Sequence, residues 1–326
     1  MKRRHTPVRT AAAGISLLLA VAVTLTGCSN GTTGSTDHKY VIGVAEASTQ
    51  IPFLAKLDES ITKRAAKYGI ETVILDGAFD NAKQAANVTT LAGRKVDALL
   101  VISSSPTSVV GPINAASKKG IPVFAVNSRL DDKADVITYV GASNFDYGVA
   151  QGKLLLKALP DGGKIAVILG PLGNPAQVDR LAGLEKVLKS HPEFEIVAKP
   201  SDEFDNAKNL SVTQDLLNKY PEGELDAIVA QGPQMYVGAN YAVKQGRTDV
   251  KIIAADYPKQ IEEAITSGAI YGTVDQNPKT QGEIAADYAY YWLTGKKDKV
   301  KKPEFITPLP LVTKETVATY SSVWSF

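Results

Sequence analysis

Histidine and cysteine are nearly missing from this chain, which has three histidines and one cysteine in 326 residues. One cysteine rules out an intramolecular disulfide. Three histidines leave too little for a zinc site or a Ser-His-Asp triad. Past residue 27 only His38 and His191 remain. His38 sits in a polar stretch, and His191 precedes Pro192 at the end of a helical segment, a solvated position rather than that of a base. No G-x-G-x-x-G follows an apolar run, and there is no G-x-x-x-x-G-K-[ST] and no G-x-S-x-G. The loop after the first apolar run, residues 47–52, has no glycine. Backbone cradling of phosphate is therefore not expected, nor are dinucleotides or ATP. No Cys/His cluster and no calcium-loop pattern is present, so neither a metal nor a cofactor is expected.

Basic charge is also scarcer than the net +2 suggests. Lys2, Arg3, Arg4 and Arg9 lie in residues 1–27 with no acid, so 32 of the 36 basic residues face all 34 acids in the rest, a net of −2. That balance gives no support to nucleic-acid binding. After residue 27 no apolar run is long enough to span a bilayer, so the chain is not read as a channel or permease.

What is there begins with a sorting signal. A basic start, an apolar run over residues 11–23 and then Leu25-Thr26-Gly27-Cys28 form a secretory signal, excluded from the fold. The four residues ending at Cys28 resemble a bacterial lipobox. The resemblance implies cleavage before Cys28 and lipidation of its thiol, which anchors the protein to the outer face of the cytoplasmic membrane. Residues 29–38 (SNGTTGSTDH) are small and polar, as in a flexible tether.

From Tyr40 onward short Val/Ile-rich runs alternate with longer helical stretches. Strands are expected at 40–46, 72–76, 98–103, 123–127, 164–169, 194–199, 225–230, 250–255 and near 271–275. Helices are expected between them, at 53–68, 81–94 and 108–119 in the first half. Near-continuous apolar strands imply burial on both faces, and the alternation implies parallel sheets with right-handed crossovers. The pattern occurs twice. Phe79-Asp80-Asn81-Ala82-Lys83 returns as Phe204-Asp205-Asn206-Ala207-Lys208, 125 residues later. Residues 97–101 and 122–127 are echoed at 226–230 and 251–256, each 129 later. One α/β unit is used twice, giving two similar doubly wound parallel-sheet lobes.

Open α/β sheets bind ligands beyond the carboxyl ends of their strands. If the lobes face each other there, the cleft is lined by Ser48, Gln50, Asp76, Ser103, Asn127, Gln231 and Asp256. Most are neutral groups that donate and accept together, a lining suited to a neutral sugar or polyol. Such groups are wet in an open cleft, so substituting Asp256 is expected to leave stability unchanged.

Over residues 40–313 the chain resembles type I periplasmic binding proteins, most closely the ribose- and galactose-binding group that serves ABC importers. Ile51-Pro52-Phe53-Leu54 matches the segment carrying a stacking aromatic, which implies that Phe53 covers one face of a sugar. The segment 121–127 ends at Asn127, matching an Asp or Asn ligand. Residues 170–183 match the loop and helix carrying a ligand arginine; the ribose-type position is Val178 here and the galactose-type position is Arg180, with Gln177 one turn before Arg180 on the same face. Phe204 matches the second-lobe aromatic, Asp256 the acidic ligand and Gln276 an amide ligand beside the hinge. The stretch Gly232-Pro233-Gln234-Met235 lacks a side-chain ligand that the family often carries, Ile51 stands in place of a polar residue, and Ser128 replaces a basic neighbour found in the ribose group. These departures argue against ribose itself.

The resemblance implies three crossings between lobes, at Ser143-Asn144, Gln276-Asn277 and Pro308-Leu309. The expected organisation is a lipoprotein signal at 1–27, a tether at 28–38, an N-terminal lobe of 39–143 plus 277–308, and a C-terminal lobe of 144–276 plus 309–326. It also implies closure of a monomer about this three-segment hinge onto its ligand, an ABC permease and its ATPase as partners, contact with the membrane through the lipid alone, and no enzymatic activity. Use of the same cleft by a ligand-sensing partner of a membrane receptor or kinase is the alternative.

Overall fold

The computed structural model describes residues 39–326; Cys28, the signal and the tether lie outside the described residues. Two six-stranded sheets form the frame. The first contains β1 (Val41–Glu46), β2 (Glu71–Asp76), β3 (Ala98–Val101), β4 (Val123–Val126) and β5 (Tyr139–Gly141), with α1 (Pro52–Ala66), α2 (Asn81–Gly93) and α3 (Val110–Lys118) as crossovers. The second contains β6 (Gly163–Ile168), β7 (Phe194–Ala198), β8 (Ala227–Ala230), β9 (Lys251–Ile253) and β10 (Gly272–Val274). It is preceded by α4 (Asn144–Ala158) and connected by α5 (Pro175–Leu188), α6 (Asn206–Lys219), α7 (Met235–Lys244) and α8 (Lys259–Ser267). After α9 (Pro278–Leu293), β11 (Glu304–Ile306) pairs parallel with β5, and β12 (Leu311–Thr313) pairs antiparallel with β10.

The sheet orders, β11-β5-β4-β3-β1-β2 and β12-β10-β9-β8-β6-β7, are the same winding twice. This is the two-lobed α/β fold that the duplicated letters predict. β5, β11 and β12 were not among the expected strands. Each is three residues long, too short for periodicity to register; β11 and β12 complete sheet edges, and β5 is held between β4 and β11.

The backbone repeats as closely as the letters do. Asp80 and Asp205 cap α2 and α6 by accepting the backbone N–H of Lys83 and Lys208. Asp97 and Asp226 each take a backbone N–H at the start of the first strand of their sheet, from Val41 and Lys164. Each sheet is buried on both faces: Ile42, Leu100 and Phe124 pack on one side of the first and Leu91, Leu99 and Val101 on the other, as do Ile168, Ile228 and Ile252 and then Ile165, Val167 and Val229 in the second.

Three segments connect the lobes. The chain leaves β5 and enters α4, which packs against α5; it leaves β10 and enters α9, which packs against α1; and it runs from β11 to β12. The segments lie side by side, with Thr307 N–H on the Gly141 carbonyl (2.8 Å) and Asp275 N–H on the Pro310 carbonyl (3.1 Å).

Glu46, at the end of β1, and Asp58, on α1, form a buried carboxyl pair. Burial pushes Glu46 well above its usual range and Asp58 up to about 6. One oxygen of each has no other partner among the described residues. A carboxyl whose folded pKa is raised stabilises the fold below its unfolded value, near 3.8 for Asp58, and that stability is lost as pH rises through about 6. Glu46→Gln should therefore raise the melting temperature at pH 7 relative to wild type, because the neutral amide need not ionise in the buried pair. The gap should narrow toward pH 4. Thermal melts of both proteins across that range check this, and a constant gap would refute it.

Candidate functional site

The carboxyl ends of both sheets border one cleft of about 850 Å³. Asn127, just past β4, has φ 60°, and Asp256, just past β9, has φ 57°. Phe79 and Phe204, one in each half, have φ 57° and 58°. Side chains other than glycine rarely adopt this left-handed region, and Asn and Asp tolerate it best. Two pairs of repeat-related residues thus share an uncommon conformation, and all four line the cleft.

Asp256 is buried. Its Oδ1 accepts from Gln276 Nε2 (2.8 Å) and lies 3.3 Å from Tyr147 Oη, which in turn takes the Asp256 backbone N–H (2.6 Å) and donates to the Val274 carbonyl (2.5 Å). Burial raises the Asp256 carboxyl above its ordinary range, while nearby Arg180 opposes the shift. The expectation that Asp256 is wet is corrected: its carboxylate is buried in a network joining the segment after β10 to α4.

Arg180 is likewise buried. Its guanidinium lies over the Tyr147 ring at 4.1 Å, donates Nη1–H to the Gln231 carbonyl (2.6 Å) and Nε–H to Asn144 Oδ1 (3.1 Å). Two glycines make that placement possible. A Cβ on Gly148 would fall 1.9 Å from the Arg180 carbonyl oxygen, and one on Gly183 would fall 2.0 Å from that of Phe145. α4 and α5 therefore touch backbone to backbone where Asn144, Tyr147 and Arg180 meet.

The other expected residues divide. Gln276 lines the cleft, and its carbonyl is held by Gln281 Nε2 (2.7 Å). Asn127 Nδ2 donates to Gln281 Oε1 (3.0 Å). Gln50 is an exposed lining residue, and Phe53 lines the cleft while sharing the first lobe's core. Phe204 lies against Gly170 and Gly232, where a Cβ would come 2.4 and 2.6 Å from its ring. Gln177 is not among the lining residues: its Oε1 accepts the Gly173 N–H (3.1 Å), bracing the loop before α5. Gln231 is also structural, bonded to Gly170 N–H (3.0 Å) and the Gln177 carbonyl (3.0 Å). Asp76 accepts from Thr49 and Ala78 N–H and shapes the rim without lining it. Ser48, buried behind the rim, accepts the Gln50 N–H, whereas Ser103 does line the cleft.

Of the residues expected at the hinge, Ser143 caps α4 and Asn277 caps α9, each through its side chain. Asn144 holds Arg180. Leu309 is partly buried beside Tyr147 and Val274, and Pro308 is exposed.

Several lining residues were not foreseen. Phe79 was readable as the repeat partner of Phe204. Asn174 caps α5 and lines the wall next to Arg180. Trp324 had no local signal at all. Its ring meets Phe53 edge-on at 5.6 Å, although its own backbone is held by the other lobe, with its carbonyl on Lys259 N–H (2.9 Å). Ser322 Oγ fixes the same tail to the Tyr257 carbonyl (2.7 Å). The C-terminal tail thus reaches from α8 to the first lobe across one side of the cleft.

Aromatic rings, amides, serine hydroxyls and the buried Arg180 and Asp256 make up the site, with Arg129, Glu203 and Asp205 as exposed charges at its border. That set can stack on a ring and bond its edge. Among the described residues no group of His, Cys, Asp and Glu could hold a metal, and no helix is long and apolar enough to cross a membrane.

A family model described as a periplasmic binding protein domain matches residues 42–297. The ribose import binding protein of Escherichia coli (strain K12) is 29% identical over 301 residues, 92% of this chain and 98% of that protein. A xylitol-binding protein of Mycolicibacterium smegmatis is 29% identical, covering 91% of this chain and 84% of that one. An ABC transporter solute binding protein from Bacillus halodurans, solved with bound myo-inositol, superposes with a TM-score of 0.79 at 29% identity, over 86% of this chain and 96% of that one.

Proposed function

Because the chain belongs to the periplasmic binding protein family, a family of binding proteins rather than enzymes, we propose that it captures a neutral sugar or polyol between its lobes and delivers it to an ABC import permease. The observation that carries this reading is the pairing of Asn127 and Asp256, two repeat-related strand-end residues in the same left-handed conformation, on one cleft with Arg180 and Gln276. Phe53 and Phe204 would cover the two faces of a ring, and the polar four would take its edge hydroxyls. Several charged-group hydrogen bonds at about 1.5–3 kcal/mol each, with stacking, suffice for a micromolar site. Ribose, xylitol and myo-inositol in the relatives are neutral and polyhydroxylated, which fits this lining.

The lobes would close about the three crossing segments near Ser143-Asn144, Gln276-Asn277 and Pro308-Leu309. Cys28 would carry the lipid. Mature protein should then partition with membranes, and Cys28→Ser should release or mislocalise it; membrane retention of the serine variant would remove the anchor from this reading.

A thermal-shift screen against pentoses, hexoses, deoxysugars, inositols and alditols tests the ligand class. The best hit is then followed by tryptophan fluorescence, since of the two tryptophans Trp324 lines the cleft and Trp292 does not. The signal should survive Trp292→Phe and vanish in Trp324→Phe. The reverse pattern, or no stabilising sugar or polyol, would count against the site.

Charge is tested at Asp256. Asp256→Asn keeps the shape and suits the left-handed backbone but loses a strong acceptor. It should weaken a neutral ligand by about 1–3 kcal/mol, read by calorimetry. Tighter binding by the variant would instead indicate an anionic ligand held by Arg180.

A further inference from the structure

Lys296, Lys297, Lys299, Lys301 and Lys302 fall within seven residues, all exposed, between α9 and β11. Each ammonium lies over an aromatic ring: Lys296 on Tyr290 (5.1 Å), Lys299 on Tyr291 (5.5 Å), Lys301 on Phe305 (4.8 Å), and Lys297 and Lys302 both on Trp292 (4.7 and 4.5 Å). Asp298 is the one acid in that stretch, which leaves five positive charges against one negative. The nearby carboxylates are already matched, Asp287 by Arg64 and Glu304 by Arg129. None of the five lysines forms an ion pair among the described residues. The end of a helix favours positive charge, but that field is about half an elementary charge and fades within one turn, so it does not call for five lysines.

The location is informative as well. Helices in this fold run back from the cleft, so the end of α9 lies at the pole of the first lobe opposite the cleft, and no residue of 290–305 lines the cleft. The described chain enters at that same pole, where Tyr40 Oη donates to the Leu293 carbonyl (3.2 Å). The described chain thus begins beside the basic face.

We propose that this face is a docking surface for an anionic phospholipid bilayer. Lysines near such a surface contribute about 1 kcal/mol each, and half-buried Tyr and Trp rings suit the headgroup region. The remainder of the chain after residue 27 is net acidic, so the field turns this pole toward the lipid while ligand is captured, and delivery to a permease requires release from this face. The proposal extends the membrane-associated reading above without needing the lipid at Cys28, since a polybasic face is the kind of second signal that makes a lipid anchor firm.

The test uses the unlipidated chain from Ser29 onward, which holds both sheets and every described core residue. It is sedimented with vesicles of phosphatidylcholine alone and of phosphatidylcholine with about 30% phosphatidylglycerol, at roughly 0.05 M and 0.5 M salt. Binding should appear only with the anionic vesicles and fall away at high salt. Changing the five lysines to glutamine should weaken it at least about tenfold, while melting temperature and sugar affinity stay unchanged. Equal binding to both vesicle types, no binding by wild type, or undiminished binding by the glutamine variant would each overturn the proposal. Retention on heparin or RNA without vesicle binding would do the same and point to another polyanion. Failure here leaves the Cys28→Ser experiment unaffected, so the two readings fall separately.

Discussion

Arg180→Ala should leave no measurable sugar binding and lower stability by about 3–5 kcal/mol, the usual cost of removing one member of a buried charged set. The guanidinium donates to the Gln231 carbonyl and Asn144 Oδ1, covers the Tyr147 ring and opposes the burial-driven rise of the Asp256 carboxyl. Without it, two acceptors and a buried acid are stranded together. Arg180→Lys should recover part of the stability but little of the binding, because an ammonium cannot reproduce the planar fork that reaches two acceptors while stacking. Calorimetry with the best screening hit and a thermal melt decide the matter. Wild-type affinity in the alanine variant would place Arg180 outside the site.

Gly148→Ala carries the second large expectation, and its sign alone is decisive. Alanine is the better helix former by about 1 kcal/mol, so on an unobstructed helix the change would stabilise. Here the new Cβ would meet the backbone of α5, 1.9 Å from the Arg180 oxygen and 2.9 Å from Leu184 N, and backbone cannot rotate aside. The helices must part, at a cost of about 3 kcal/mol or more, and Arg180 must leave Asn144 and Tyr147. Stability and binding should therefore fall together, although the substitution touches no ligand. A raised melting temperature would show that the two helices do not approach as described.

The duplication was legible because it is written locally. The repeated Phe-Asp-Asn-Ala-Lys, the Asp97 and Asp226 echoes and the paired strand-end residues Asn127 and Asp256 each follow from a few consecutive residues and recur at a near-constant offset. Strand ends face the crevice in any sheet of this class, so Ser103, Asn127 and Asp256 could be placed at the cleft before any coordinates.

What the letters left open is whatever depends on which segments meet. Gln177 and Arg180 share a helical face, yet only Arg180 reaches the cleft, because the loop before α5 folds back and takes the Gln177 amide for its own Gly173 N–H. Glu46 ends a strand like any other strand-end acid, and only its meeting with Asp58 on α1 makes it a buried pair. β5, β11 and β12 are three-residue pieces defined by their neighbours. Trp324 lies 271 positions from Phe53 in the numbering and touches it only because the tail is pinned to α8. Local pattern sets which faces are apolar and where strands end. The close helix crossing at Gly148 and Gly183, and the reach of the tail across the cleft, were decided by three-dimensional packing, since contacts between distant segments leave no period in the chain that makes them.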